Sequence, residues 1–195
     1  MSKSIRNILP IIILVFISCE DCLDIEEIDV QTEILNSWLT DDSISQKSLT
    51  SSIGISDQVE LSHDFQDFGD SIWDDCGQVS QSFRNSVDYH FFNFPFQLST
   101  AFYKQGEENG FEFILEYNQR QFVYNFTKQT SSPANSIVEV QSLQLEEIFY
   151  LEALKVSISN PSNSGDIKTL YLVKDVGIVQ ILLQNGIVLN LDLQD

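Results

Sequence analysis

Basic residues are scarce in this chain: 10 Lys and Arg stand against 29 Asp and Glu, a formal net charge of −19. A surface this acidic does not track a phosphate backbone, so nucleic acid is excluded as a partner, and so is broad electrostatic adhesion to anionic lipid. Histidine is scarcer still. His63 and His90 are the two in the chain, on different segments and without a metal-ligand spacing to Cys or Glu, and both read as ordinary strand residues. No Gly-x-Ser-x-Gly elbow occurs, and spacing ties no serine to a histidine and a carboxylate. No apolar run reaches the roughly 18 residues that a membrane-spanning helix needs. These absences imply no cofactor, no resident metal and no enzyme activity.

What is present is most specific at the N-terminus. Lys3 and Arg6 form a positive region, and Ile8 to Ile17 is an apolar run of 10 residues closed by Ser18 and Cys19. This is the pattern of an export signal: the run is too short to span a bilayer, and Glu20-Asp21 follow at once. Residues 1–18 are therefore expected to be a signal peptide, 19–29 an acidic tether, and 30–195 a single domain. All 29 acidic residues lie after Ser18 while Lys3 and Arg6 leave with the leader, so the mature chain carries about two more net negative charges.

The order of apolar residues, Ser18 and Cys19 resembles the lipobox of bacterial lipoproteins, with Phe16 where the family more often has Leu. The resemblance implies that Cys19 is the acylated first residue of the mature chain. It also implies a lipid-anchored protein of the bacterial cell envelope, at the outer membrane, on either its periplasmic or its surface face. Each buried CH₂ contributes ~0.8 kcal/mol, so two or more acyl chains on one residue hold a protein stably to a membrane. With Cys19 acylated, Cys22 and Cys76 are left as an even pair in a compartment that permits disulfides. A bridge between them would stabilise by about 4 kcal/mol in the chain-entropy treatment. The alternative is a thiol in the tether and a second, free thiol at Cys76.

Beyond the tether, Val30, Ile34, Leu35, Trp38 and Leu39 fall at helical spacing behind Asp29, predicting one short helix. From Ser48 the period becomes two. Strands are expected over Leu49 to Ile55 and Val59 to Phe65 about a turn at Ser56-Asp57, followed by an acidic connection from Asp64 to Asp75. Within that connection Asp64, Asp67, Asp70, Asp74 and Asp75 form a carboxylate cluster. It lacks the EF-hand order and reads as a solvated loop. Phe94, Phe96 and Phe102 alternate up to Asn109-Gly110, Phe111 and Phe113 alternate up to Asn118-Gln119-Arg120, and Phe122, Tyr124 and Phe126 follow. This is a three-strand meander with one aromatic face. Further strands are expected over Ile137 to Leu145, Ile148 to Ile158, Ile167 to Val173, Val176 to Gln184 and Ile187 to Leu193. The last two join at Asn185-Gly186 with Leu182 facing Leu189.

The tail carries a second resemblance. Ile148 to Val156, then Thr169-Leu170-Tyr171-Leu172-Val173-Lys174-Asp175-Val176-Gly177-Ile178-Val179, is similar to the C-terminus of small Bacteroidota lipoproteins. That resemblance implies an all-β domain and no reaction, with Gly177 marking a bulge or a close backbone approach. The expected fold is all-β and mainly antiparallel: a sandwich, or a partly closed curved sheet or barrel, of eight to ten strands. The expected function is a non-catalytic structural or interaction module with an envelope protein as partner. The alternative is a carrier of a lipid or acyl chain, with Phe94, Phe96, Phe102, Phe111, Phe113, Phe122, Tyr124 and Phe126 lining an apolar groove.

Overall fold

A computed structural model describes residues 37–73, 79–93, 96–105, 110–145 and 147–193. Alternation of apolar and polar residues over most of this length produces twelve strands and, among the described residues, no helix. They are β1 (Gln46–Ser51), β2 (Ser56–Trp73), β3 (Val79–Phe91), β4 (Gln97–Gln105), β5 (Phe111–Tyr117), β6 (Arg120–Asn125), β7 (Thr130–Ser132), β8 (Ile137–Leu145), β9 (Ile148–Ser157), β10 (Ile167–Val173), β11 (Gly177–Leu183) and β12 (Val188–Leu193). All belong to one antiparallel sheet in the order β7-β6-β5-β4-β3-β2-β1-β12-β11-β10-β9-β8. Every strand therefore neighbours its predecessor except across β7 and β8, and β1 pairs with β12 to close the ring on the opposite side.

The result is an up-and-down, nearly closed barrel rather than a sandwich. Its two sheet edges, β7 and β8, are drawn together at one end by serines. Ser136 N–H donates to Ser131 Oγ at 3.1 Å, and Ser159 N–H donates to Ser136 Oγ at 2.9 Å.

The inward face fills the barrel. Leu49, Val59, Phe102, Phe113, Leu115, Phe122, Val156, Leu170, Leu172, Ile178, Ile181 and Leu189 are all 0% exposed. Register explains the packing: Phe102 lies opposite Phe113, which lies opposite Tyr124, while Leu115 lies opposite Phe122. Ring centroids of Phe102 and Phe113 are 5.3 Å apart and tilted, a favourable arrangement of ring quadrupoles. Each such side chain removed from water contributes about 1.5–3 kcal/mol. A smaller apolar cluster, Ala153, Val173 and Val179 with Tyr150 and Tyr171 against it, covers part of β9–β11 separately from this core.

The chain enters at what we term the near end. Ser37 C=O accepts from Asp175 N–H, and Asp41 N–H donates to Asp175 C=O at 2.9 Å, so Trp38, Leu39 and Thr40 are held as a buried plug beneath the β10–β11 turn. Thr40 Oγ1 lies 3.0 Å from the hydroxyl of buried Tyr89, which accepts from Ile178 N–H at 3.1 Å. Gly177 sits over this junction at φ +73°, where a Cβ would lie 2.0 Å from Thr40 Oγ1 and 2.8 Å from Tyr89 Oη. The close backbone approach expected at Gly177 is thus present. Lys47, wholly buried on β1, donates its ammonium to the carbonyls of Val176 and Ile178, the latter at 2.7 Å.

Several local expectations are corrected. The β1–β2 turn is Ser52–Ile55, not Ser56-Asp57, because Gly54 supplies φ +80° and its N–H reaches Ser51 C=O at 2.9 Å. Of the stretch expected as an acidic connection, Asp64 to Trp73 is strand, since β2 runs to Trp73 and pairs with β3 there with two register shifts, while Asp74 and Asp75 lie outside the described residues. In the last hairpin Gln184-Asn185-Gly186 makes a three-residue turn, with Leu183 N–H bonded to Ile187 C=O. Ile181, not Leu182, therefore faces Leu189, and this one-residue difference exchanges the inner and outer faces. Of the expected helix Val30 to Leu39, residues 30–36 lie outside the described residues, and 37–39 form a turn and bend.

Candidate functional site

The filled interior leaves the outer surface and the two ends for function. At the far end, opposite Ser37, the loops after β1, β3, β5, β7, β9 and β11 gather into a rim. Arg120, at the start of β6, reaches the β9–β10 loop, where its Nη1 pairs with the Asp166 carboxylate and donates to Ser162 Oγ at 3.0 Å. The same carboxylate accepts from the backbone N–H groups of Ser162 and Asn163, both at 2.7 Å. Burial alone would raise the Asp166 pKa, but these N–H donors and the guanidinium outweigh it and hold the group below the usual carboxylate value. Tyr117 beside it is shifted up, by burial first and then by the Asp166 charge. The ion pair thus ties the β5–β6 turn to the β9–β10 loop across the position of the unpaired edges.

A cleft of about 600 Å³ lies on one side of this tie, bordered by Phe91, Phe96, Gln97, Tyr117, Asn118 and Gln121, and one of about 330 Å³ on the other, between Phe122, Pro133 and Ile158. Phe96 and Tyr117 stack at 6.3 Å as the floor of the larger cleft but are 5% and 6% exposed, and its lining mixes apolar and polar surface in nearly equal parts. Farther along the rim, Asp57 accepts from Asn93 N–H and Asn93 Nδ2, each at 2.9 Å, fixing the β3–β4 loop. With Arg120 neutralised by Asp166, this end presents hydrogen-bonding groups beside apolar surface.

The residues singled out from sequence are distributed as follows. Phe96, Phe102, Phe111, Phe113 and Phe122 are buried, and Tyr124 and Phe126 pack half-buried against the same core. Phe96, Phe102, Phe113 and Phe122 are thus part of the barrel core with Tyr124 and Phe126 against it, while Phe111 is buried beside Phe83. Phe94 lies outside the described residues, as do Cys19, Cys22 and Cys76, so the lipidation site and the disulfide pair have no structural account. His63 Nε2 contacts Ile44 C=O at 3.1 Å. His90 Nε2 lies 2.9 Å from Ser62 Oγ on the exposed outer sheet, a pairing that spacing did not reveal. Asp64 accepts from Gln66, Asp67 and Asp70 pair with Phe83 and Gln81 along β2–β3, and Asp74 and Asp75 lie outside the described residues. No group of three metal-ligating side chains comes together among the described residues. The Arg120–Asp166 tie and the buried Lys47 were missed from sequence, and of the two only Lys47 carried a signal: it shares strand parity with Leu49.

Comparison with protein-family models, curated proteins and solved structures finds no match for this chain.

Proposed function

We propose that this protein is a lipid-anchored envelope lipoprotein of the Bacteroidota type, acylated at Cys19, whose β domain is a non-catalytic structural or interaction module at the outer membrane. The observation that carries the proposal is Cys19 placed directly behind a 10-residue apolar run with Lys3 and Arg6 before it. Two structural features agree with it. The barrel is packed with side chains, leaving its exterior as the working surface. Ser37, the first described residue, lies at the near end, so an anchor at Cys19 would leave the far rim turned away from the bilayer. The partner is another envelope component, and a mature chain still more acidic than the −19 of the full sequence favours a basic one.

The test is Cys19→Ala beside the parent, with fractionation, intact mass and surface proteolysis of whole cells. Anchoring predicts that the parent stays with the membrane carrying added acyl mass, and that the variant is released without it. A variant that stays membrane-bound with the parent's mass sinks the proposal.

A further inference from the structure

The most unusual surface feature is the β8–β9 hairpin. β8 stands at the edge of the sheet, and β9 pairs with β10 only over Ala153–Ser157, so residues 148–152 and their β8 partners project past β10. Ile137, Val140, Ile148, Phe149 and Leu151 on this hairpin are 55–79% exposed, five of the nine large apolar side chains that are exposed among the described residues. Edge strands are normally blunted by brevity, Lys or Pro. β7 follows that rule, being three residues long and next to Pro133. β8 does not: Ile137-Val-Glu-Val-Gln-Ser-Leu-Gln-Leu145 is nine residues with no Lys, no Pro and a single charge.

The charge pattern selects the occupant. Two copies of a chain with net charge −19 repel over most of their surface. On this hairpin, however, Glu139 is paired with Lys155 at 2.9 Å and Glu152 with Lys174 at 2.8 Å. These are two of the four ion pairs among the described residues, gathered around the one long exposed edge. An antiparallel edge complements itself about a two-fold axis, because each strand offers the same row of N–H and C=O groups in reverse. With the axis near Gln141, Glu139 would face a partner Leu and no like charges would oppose. The turn carrying Glu147 would also point away from its equivalent.

We propose that this chain self-associates by antiparallel pairing of β8 with β8 of a second copy, covering the exposed side chains of the hairpin. This does not depend on the anchor. The full chain, purified from expressing cells in mild detergent, is examined by sedimentation between about 1 µM and 1 mM, with hydrogen exchange followed at the two extremes. Expected are a reversible monomer–dimer equilibrium and slower exchange of the β8 amides at high concentration. Val140→Lys should weaken association at least about tenfold. Ile53→Lys, with the same charge change at a similarly exposed site on the β1–β2 turn, should not weaken it. Each Lys lowers the net negative charge, so electrostatics alone predicts tighter association for both. Thermal unfolding confirms that both variants fold. A chain that stays monomeric, a dimer with unchanged β8 exchange, equal weakening by both variants, or β8 protection that appears only with added phosphatidylcholine vesicles would each overturn the proposal.

Discussion

Lys47 makes the sharpest quantitative prediction. It is 0% exposed, its ammonium rests on two backbone carbonyls, and burial lowers its pKa from 10.5 to about 7, with Asp192 opposing the shift. Between those two values the unfolded chain holds a proton on this group and the folded chain does not, so stability rises with pH. Below about pH 7 both states are charged and the penalty is complete; above about 10.5 both are neutral and it vanishes. At 1.36 kcal/mol per unit, the full swing is on the order of 5 kcal/mol. Lys47→Met keeps the stem and removes the titration, but leaves the Val176 and Ile178 carbonyls unpaired, at about 1–3 kcal/mol each. The variant should therefore be nearest to, or above, the parent in stability at pH 6, and several kcal/mol below it at pH 10. Urea unfolding of both proteins at five pH values isolates this group, because every other titration is common to the two. A stability difference that stays flat from pH 6 to 10 would refute the claim that Lys47 is buried with a depressed pKa.

Gly177→Ala should destabilise by about 3 kcal/mol or more, from a left-handed backbone and a Cβ driven into Thr40, whereas Gly54→Ala, at φ +80° with open space around it, should cost about 1 kcal/mol; urea midpoints of the two compare them. Asp166, held below the usual carboxylate value, contributes stability that is present above that range and lost as pH falls through its folded value. Asp166→Asn should lower stability at neutral pH and flatten the acid limb of the unfolding curve, with no change if the Arg120 tie is inert.

Much of the strand pattern was legible because a filled barrel imposes inward alternation on nearly every segment. Phe111 to Tyr117 and Arg120 to Asn125 announce themselves through the Asn118-Gln119 turn, whose positive φ values suit a tight hairpin. The errors arose where one residue decides register. Asn185-Gly186 signals a two-residue turn, yet Gln184 joins it, and Leu182 and Ile181 exchange faces. The acidic residues of β2 hid a strand because the pattern of carboxylates does not show the pairing with β3 that runs alongside it. Arg120 and Asp166 are 46 residues apart and meet through barrel curvature, which no local pattern encodes.

The pairing of β1 with β12 sets an order on events in time. Lys47 finds its place opposite Leu193, nearly the whole described chain away, and the plug at Trp38 needs the β10–β11 turn to rest on. Until the last strand is available, β1 and β11 both present open edges and Lys47 has nowhere dry to go. Contacts of such long range form late and slowly. Closure of the ring, the seating of Lys47 and the docking of the plug thus all wait on strands at the far end of the chain.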